Sequence, residues 1–381
     1  MRFVPDDEHR TYAATVRRLL VVAEPLKAAR AWAAGEHAPG RELWRALADT
    51  GLTALAVDER HGGMGWYPPE LASAFIEIGR TGAPGPLVES VALAAALSAG
   101  SAEAVRGEGQ PIERKEQAPK EERVGEERAG EERAEGTRAA ERRAEGEQAG
   151  EGRGLLERLL SGGALATVAA ARPPGPPAAP GPFALDAHLA DAVFVLDGDE
   201  LLPARAGKVF TSLDPARHLV RCEAAPARNR RPVPAGTARL RALTTLLTAA
   251  QVLGAGRALL EGSVRYAGQR TQFGRPVGSF QAVKHQLADV AVALEFAAPL
   301  LYGAALTVRG DAAADPRDLP AAKLACTRAA LLASRVALQV HGALGYTDEY
   351  DLTLLIRKAR ALRSAWGTAA ECEAVLLDAA H

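Results

Sequence analysis

The chain has 381 residues, of which 48% are hydrophobic, and its formal net charge at pH 7 is -1. This length allows one large core or two smaller ones, and the neutral balance provides no field that would draw nucleic acid or an anionic membrane to the protein. Cys222, Cys326 and Cys372 stand in no metal-like spacing, and the acidic start lacks a long apolar run, so we expect core thiols in a cytoplasmic protein with no metal, nucleic-acid or membrane partner.

Apolar residues recur at helical spacing through most of the first hundred residues. Asp6 or Asp7 can cap the first helix, Gly51 can end the second, and Pro68 suits the start of the third. We predict helices at residues 6–26, 43–51, 68–79 and 87–97, and a glycine-rich turn at 61–65. These elements predict an N-terminal helical domain over residues 1–100.

The composition changes over residues 101–153, which are rich in Glu, Arg, Gly and Ala and repeat Gly-Glu-Glu-Arg-Ala at 125–129 and 130–134. This segment has almost nothing apolar to bury, and its recurring glycines weaken any helix. We therefore predict a solvated, charged linker of low complexity. A docking tail is the alternative.

Short apolar runs follow, separated by proline and glycine. They predict short strands at residues 164–171, 192–196, 208–213 and 218–222. The proline-rich stretch at 173–177 cannot join the middle of a sheet, because proline has no amide hydrogen to donate. We predict a small, reduced β middle domain over residues 154–236.

The pattern is helical again from residue 237 to residue 381, with a break at Asp315 and Pro316. Two stripes of apolar residues at helical spacing indicate helices that pack against each other. The predicted helices lie near residues 240–269, 281–307, 320–343 and 350–377. Together they predict a C-terminal four-helix bundle and a mainly α protein.

The segment between the first two bundle helices, residues 270–281, combines a cation, an aromatic ring and glycine. Arg270 can fork onto phosphate oxygens, Phe273 can cover an adenine face, and the backbone near Gly274 can approach a ligand closely. This set suits a nucleotide diphosphate. Taken alone, the same composition also fits a plain connection between helices.

Three stretches together carry a family resemblance: Arg270-x-x-Phe-Gly followed by Phe280-Gln281, the run Gln339–Thr347, and residues 44–71 with their Gly-Gly-Met-Gly turn. On these residues the chain resembles the acyl-CoA dehydrogenase family over residues 1–100 and 237–381. The resemblance implies the fold of that family, FAD as cofactor, an acyl-CoA substrate, and an oligomer with a related chain or with itself.

Residue by residue, the resemblance implies FAD-binding roles at one end of the bundle. In the family, FAD lies at a subunit interface and these elements contact the adenosine diphosphate half bound to the neighbouring chain. The residues assigned to FAD on this basis are Arg270 on the pyrophosphate, Phe273, Gln281, Gln339 and Gly342 along the nucleotide, and Thr368. His341 and His285 fall within helical patterns, and we expect them to be packing or surface histidines.

The catalytic base of the family has no counterpart here. The family removes an α-proton with a glutamate in a Tyr-Glu-Gly-Thr-like turn, and the matching turn, residues 365–368, holds Trp366 at that place. The second known position for the base holds Thr244. Neither an indole nor a hydroxyl is a base at neutral pH, so we assign no catalytic residue and keep Glu371 and Glu373 as alternative bases.

The loop that holds the flavin ring in the family is also missing, since residues 169–173 read Ala-Ala-Ala-Arg-Pro. We therefore expect a subunit that works with a related chain, which supplies the base and the flavin pocket. One alternative is a non-catalytic helical scaffold or interaction subunit that has lost flavin. The other is an active oligomer of this chain alone, with Glu371 or Glu373 as the base.

Overall fold

The structure is a computed structural model that describes residues 5–107, 152–171, 181–224, 236–310 and 315–378, with only the backbone described for residues 100–107. The predicted linker lies mostly at 108–151, outside the described residues. The N-terminal helices are α1 (Asp7–Ala23), α2 (Pro25–Ala33), α3 (Ala38–Asp49), α4 (Pro68–Thr81) and α5 (Leu87–Gly107). A further helix, α6, covers residues 152–160.

The first predicted helix, 6–26, is wrong as a single element. Asp6 caps α1 as expected, because its carboxylate accepts the backbone amide of His9 at 3.0 Å. The helix then ends at Glu24, whose φ of 47° is left-handed. Pro25 begins α2 at a position where its missing amide hydrogen costs nothing.

The middle domain holds a five-stranded sheet in the order β1-β3-β4-β5-β2. Its strands are β1 (Ala166–Ala170), β2 (Phe183–Leu185), β3 (Ala192–Asp197), β4 (Glu200–Phe210) and β5 (Leu219–Ala224). Strands β1 and β3 pair in parallel, and the other pairs are antiparallel. The prediction of a strand at 208–213 found only the end of β4, because residues 203–207 are mostly exposed and include Pro203 and Gly207, which interrupt any apolar run.

The sheet joins the main core on one side and has its own small core on the other. Leu165, Ala166 and Val168 belong to the main core, together with Leu156 and Leu159 of α6. The small core consists of Ala169, Ala184, Ala187, Val195, Val220 and Cys222. Strand β1 also bonds to α5, since the hydroxyl of Ser90 donates to the carbonyl oxygen of Ala166. This contact places β1 beside the helical domains.

The C-terminal helices are α7 (Thr237–Gln269), α8 (Gln281–Arg309), α9 (Asp318–His341), α10 (Asp351–Leu362) and α11 (Ala369–Asp378). The first three match the predicted bundle helices closely. The fourth prediction, 350–377, is wrong as one helix, because a turn at 363–368 divides it. Trp366 and Gly367 in that turn have φ values of 50° and 120°, which an α-helix does not allow.

Helix α7 lies at the centre and crosses α4 at very short range. A Cβ atom added to Gly79 of α4 would lie 2.0 Å from the carbonyl oxygen of Gln251, and one added to Gly254 of α7 would lie 1.9 Å from that of Ile76. Only glycine at both positions permits this approach. The N-terminal domain and the bundle are therefore packed as one unit around α7.

The three cysteines are buried and free of disulfides, which confirms the prediction of core thiols. By length and composition alone, α7 and α8 are both apolar enough to cross a membrane. Within the most apolar window of each, 78% of α7 but only 44% of α8 is buried inside the protein. Helix α7 is therefore a core helix, and α8 keeps one free apolar face.

Candidate functional site

A cleft of about 1180 Å³ opens between the sheet, α5 and the C-terminal bundle. Its floor brings together the two positions where the family base is expected, Thr244 and Trp366, with Glu89 of α5. Among the described residues, five arginines and two glutamates line it: Arg217, Arg241, Arg335, Arg360 and Arg363, and Glu89 and Glu371. The cleft is therefore a basic, partly apolar site at the junction of all the domains.

Trp366 is held across the inner part of this cleft by a hydrogen bond to a buried carboxyl group. The indole Nε1 donates to Oε1 of Glu89 at 2.9 Å, and Glu89 is 4% exposed. Burial raises the pKa of Glu89, an effect that the charge of Arg217 and the indole hydrogen bond offset in part. The turn that carries the base in the family thus carries a side chain engaged inside the protein.

Lys323 of α9 fixes the same turn from the other side. Its Nζ donates to the carbonyl oxygen of Gly367 at 3.0 Å and to Oγ1 of Thr327 at 3.2 Å. Burial lowers the pKa of Lys323 to about 8, and the charge of nearby groups, Glu371 among them, offsets only part of this effect. The left-handed backbone at Trp366 and Gly367 is therefore held by specific contacts rather than by the turn sequence alone.

The hydroxyl of Thr244 is fully buried and committed to its own helix. Its Oγ1 donates to the carbonyl oxygen of Leu240 at 2.9 Å. A threonine hydroxyl bonded in this way neither accepts a substrate proton nor faces one freely. The structure thus adds a geometric reason to the chemical one against Thr244 as a base.

The two alternative bases have other roles. Glu371 accepts the backbone amide of Thr368 at 2.8 Å and its hydroxyl at 2.9 Å, while Thr368 Oγ1 accepts the amide of Glu371 at 3.2 Å. This is a reciprocal cap at the start of α11. Glu373 is partly exposed and pairs with Arg328. Neither carboxylate is held in the dry surroundings that raise the basicity of a catalytic glutamate.

The predicted nucleotide segment forms a tight hairpin at the end of α7. Residues Thr271–Gln272 pair with Arg275–Pro276, and the turn between them is Phe273-Gly274, both in left-handed backbone with φ values of 53° and 76°. Two consecutive residues of this kind make the turn that suits a two-residue hairpin. The Phe273 ring is 90% exposed at its tip.

Phe280 supports this hairpin from beneath. The guanidinium of Arg275 lies 4.0 Å from the centre of the Phe280 ring, and the Phe273 ring meets it edge-on at 6.2 Å. The exposed Arg270 side chain makes no hydrogen bond or ion pair in the described part of the chain. The hairpin therefore presents a free cation and an aromatic face to solvent.

The second predicted motif lies beside the first. The ring of Tyr266, one turn before Arg270, stacks on His341 with 4.3 Å between ring centres, so the ends of α7 and α9 meet. Gln339 and Gly342 are exposed there. His341 is buried and its Nδ1 lies 2.8 Å from the carbonyl oxygen of Ala337, which agrees with the packing role expected for it, and His285 is exposed.

The six residues assigned to FAD thus divide into two groups. Arg270, Phe273, Gln281, Gln339 and Gly342 are exposed at one end of the bundle, and only Thr368 lines the cleft. We call the four residues Arg270, Phe273, Gln339 and Gly342 the rim. Within one chain the rim and the cleft are separate places.

Sequence reasoning missed Glu89 and Arg217, the buried polar residues of the cleft. A signal for Glu89 was present, since it is the one acidic residue in the apolar stretch 87–97. Its partner Trp366 stands 277 positions away in sequence, and no local pattern connects the two.

Two domain models of one protein family match this chain, and a relative with the same family name matches it along most of its length. The model of the acyl-CoA dehydrogenase N-terminal domain matches residues 6–107, and that of the C-terminal domain matches residues 242–373. Acyl-CoA dehydrogenase IpdE2 of Mycobacterium tuberculosis is 27% identical over 362 residues, which cover 93% of this chain and 92% of IpdE2.

Two solved structures share the fold. The ChsE4-ChsE5 complex from Mycobacterium tuberculosis superposes with a TM-score of 0.70 at 21% identity, covering 99% of this chain and 98% of that one. A glutaryl-CoA dehydrogenase from Mycobacterium smegmatis in complex with FADH2 superposes with a TM-score of 0.67 at 18% identity, covering 99% and 95%. With both domain models matched and the fold shared along its length, the chain belongs to the acyl-CoA dehydrogenase family of flavoproteins.

Proposed function

We propose that this chain is a subunit of an FAD-dependent acyl-CoA dehydrogenase that works with a related chain. In this proposal the partner supplies the catalytic base and the pocket of the flavin ring, and this chain supplies contacts to the adenosine diphosphate half of the partner's FAD. The observation that carries the proposal is the position of the rim, which is exposed and lies outside the chain's own cleft.

The residues of this chain fit one half of FAD. The rim offers the unpaired guanidinium of Arg270 for phosphate oxygens and the Phe273 ring for a nucleobase. Open space surrounds Gly274 and Gly342, where an added Cβ would meet no heavy atom within 4 Å, so a ligand can approach the backbone. Bound FAD would accept the hydride that leaves the acyl β-carbon.

The flavin-ring half fits less well. Where the family loop would offer hydroxyl and amide groups, the described residues 169–171 are all alanine. Residues 172 and 173 of the predicted loop lie outside the described residues. The ring half of FAD therefore depends on the partner chain in this proposal.

Helix α8 supports an oligomer. Val292, Phe296 and Leu300 lie one turn apart along it and are 54%, 75% and 47% exposed. A stripe of large apolar side chains on a helix favours contact with another protein surface. This stripe, which we call the α8 face, is on the helix that follows the nucleotide hairpin and begins about 16 Å along its axis, so a partner that contacts both the stripe and the rim must extend along α8.

Two neighbours in fold are in line with a flavin-dependent complex of two chains, and neither identifies the partner of this chain. One neighbour in fold is a complex of two different chains, and another is a family member with bound FADH2. Both are below 25% identity to this chain. The acyl group and the identity of the partner chain belong to the proposal's test.

Purification of the chain from its native source, with identification of any bound chain and an absorption spectrum, tests the proposal. We expect a yellow complex with a related chain that contains a glutamate at the base position. A colourless complex, or a chain that purifies alone without flavin, would support the scaffold alternative instead.

A further inference from the structure

The inner end of the cleft contains two buried ionisable side chains, and neither forms an ion pair among the described residues. Glu89 and Arg217 are 4% and 9% exposed and both line the cleft. The Oε2 atom of Glu89 has no hydrogen-bond partner. The Arg217 guanidinium forms no hydrogen bond or ion pair in the part of the chain that the structure describes, and it acts on Glu89 only through its charge.

Two other carboxylates near Arg217 each have a basic partner of their own. Asp214 pairs with Lys358 at 3.1 Å. Asp186 pairs with Nδ1 of His218 at 2.9 Å and accepts the backbone amide of the same residue at 3.0 Å. Neither carboxylate bonds to Arg217, although Oδ2 of Asp186 is itself buried without a hydrogen-bond partner.

A buried guanidinium without an anion is energetically costly, because the charge loses its hydration and gains nothing in return. Burial raises the pKa of Glu89 and the charge of Arg217 offsets this in part, but no hydrogen bond or ion pair joins the two side chains. The end of the cleft thus presents guanidinium N–H groups that can donate hydrogen bonds to an anion.

The wall at this end also limits what the cleft can hold. Glu89, Arg217 and Trp366 separate the cleft from an enclosed space behind them of about 10 Å³, which is room for about one water molecule. A ligand that enters the cleft must stop at Arg217 and Glu89.

We propose that Arg217, with Glu89 beside it, binds a carboxylate at the far end of a ligand in this cleft. Given the family, the ligand class is an acyl-CoA whose acyl chain ends in a carboxylate. This chain's own cleft is then a binding site for such a thioester, distinct from the flavin contacts at the rim.

Two five-carbon thioesters form a matched pair for the test, since glutaryl-CoA and valeryl-CoA differ only in the terminal carboxylate. Calorimetric titration of the purified full-length chain should show glutaryl-CoA binding about tenfold to hundredfold more tightly, the effect of a charge-assisted contact. Equal affinities, or no binding of either thioester, would overturn the proposal.

Substitutions assign the preference to Arg217. Arg217→Met should bring the ratio of the two affinities close to one, whereas Arg363→Met, which removes the same charge from an exposed position lining the cleft, should leave the ratio unchanged. If Arg217→Met does not fold, Arg217→Lys decides: its ammonium keeps the charge but not the planar fork, so the preference should shrink and remain. An unchanged ratio in the Arg217 variants, or an equal loss in Arg363→Met, contradicts the assignment.

This experiment needs neither flavin nor a partner chain. Failure here would leave the subunit proposal standing, and failure to find a flavin-bearing partner would leave the carboxylate site standing.

Discussion

The rim and the inner wall of the cleft lie in the same chain, but the side chains of the rim are exposed whereas those of the wall are bonded to each other. At the rim, the Arg270 guanidinium is exposed and forms no hydrogen bond or ion pair among the described residues, and the exposed Phe273 ring makes an edge-on contact with Phe280. At the wall, Trp366 and Glu89 are bonded to each other. In the proposed function, side chains that contact a neighbouring chain remain exposed, whereas the position that holds the base in the family is bonded inside this protein.

The largest expected effect concerns turnover by the lone chain, in which Trp366 occupies the position of the family base. Supplied with FAD and acyl-CoA, the lone chain should reduce an electron acceptor about 10²- to 10⁴-fold more slowly than the complex, since a general base contributes a factor of that size. Steady-state assays of the lone chain and the complex at equal flavin concentration make the comparison. Comparable turnover by the lone chain would show that its cleft is catalytic after all.

The bond between Trp366 and Glu89 should be measurable as a coupling energy. Urea unfolding of Trp366→Phe, Glu89→Leu and the double variant should give a coupling of about 0.5–3 kcal/mol, as expected for side chains in direct contact. Trp44 is the matched control, because its buried indole donates to the carbonyl oxygen of Ala164 instead. Trp44→Phe and Glu89→Leu should therefore be additive; equal coupling in both cycles would argue against a specific bond.

The smallest effect is expected at the rim. Phe273→Ala should change the free energy of unfolding of the lone chain by less than about 0.5 kcal/mol, because the ring is 90% exposed. Phe75→Ala, at a fully buried phenylalanine of α4, should cost about 3–5 kcal/mol. A large loss for Phe273→Ala would mean that the hairpin helps to hold the fold together and is not simply presented to a partner.

These contrasts also explain which features the sequence predicted. The bundle helices α7, α8 and α9 were found because long apolar periodicity is a local signal. The division of the last helix was missed because two other helices hold the turn: Lys323 donates to the carbonyl oxygen of Gly367, and Glu89 accepts a hydrogen bond from the Trp366 indole. The rim residues could be named from their motifs, and their free exposure agrees with that assignment without testing it.

Arg217 shows the limit most clearly. Its importance depends on Asp214 and Asp186 being paired with other residues, a balance that exists only in the folded protein. Residue type alone does not distinguish it from the other arginines of the cleft.

The most direct test of the central claim is the flavin content of the co-expressed complex carrying Arg270, Arg270→Lys or Arg270→Ala. A charge-assisted contact to the pyrophosphate contributes about 1.5–3 kcal/mol, so Arg270→Ala should weaken FAD binding about tenfold to hundredfold. Arg270→Lys should recover part of the loss, and the size of the complex should not change. Unchanged flavin occupancy in all three complexes would contradict the claim that this chain contacts its partner's FAD.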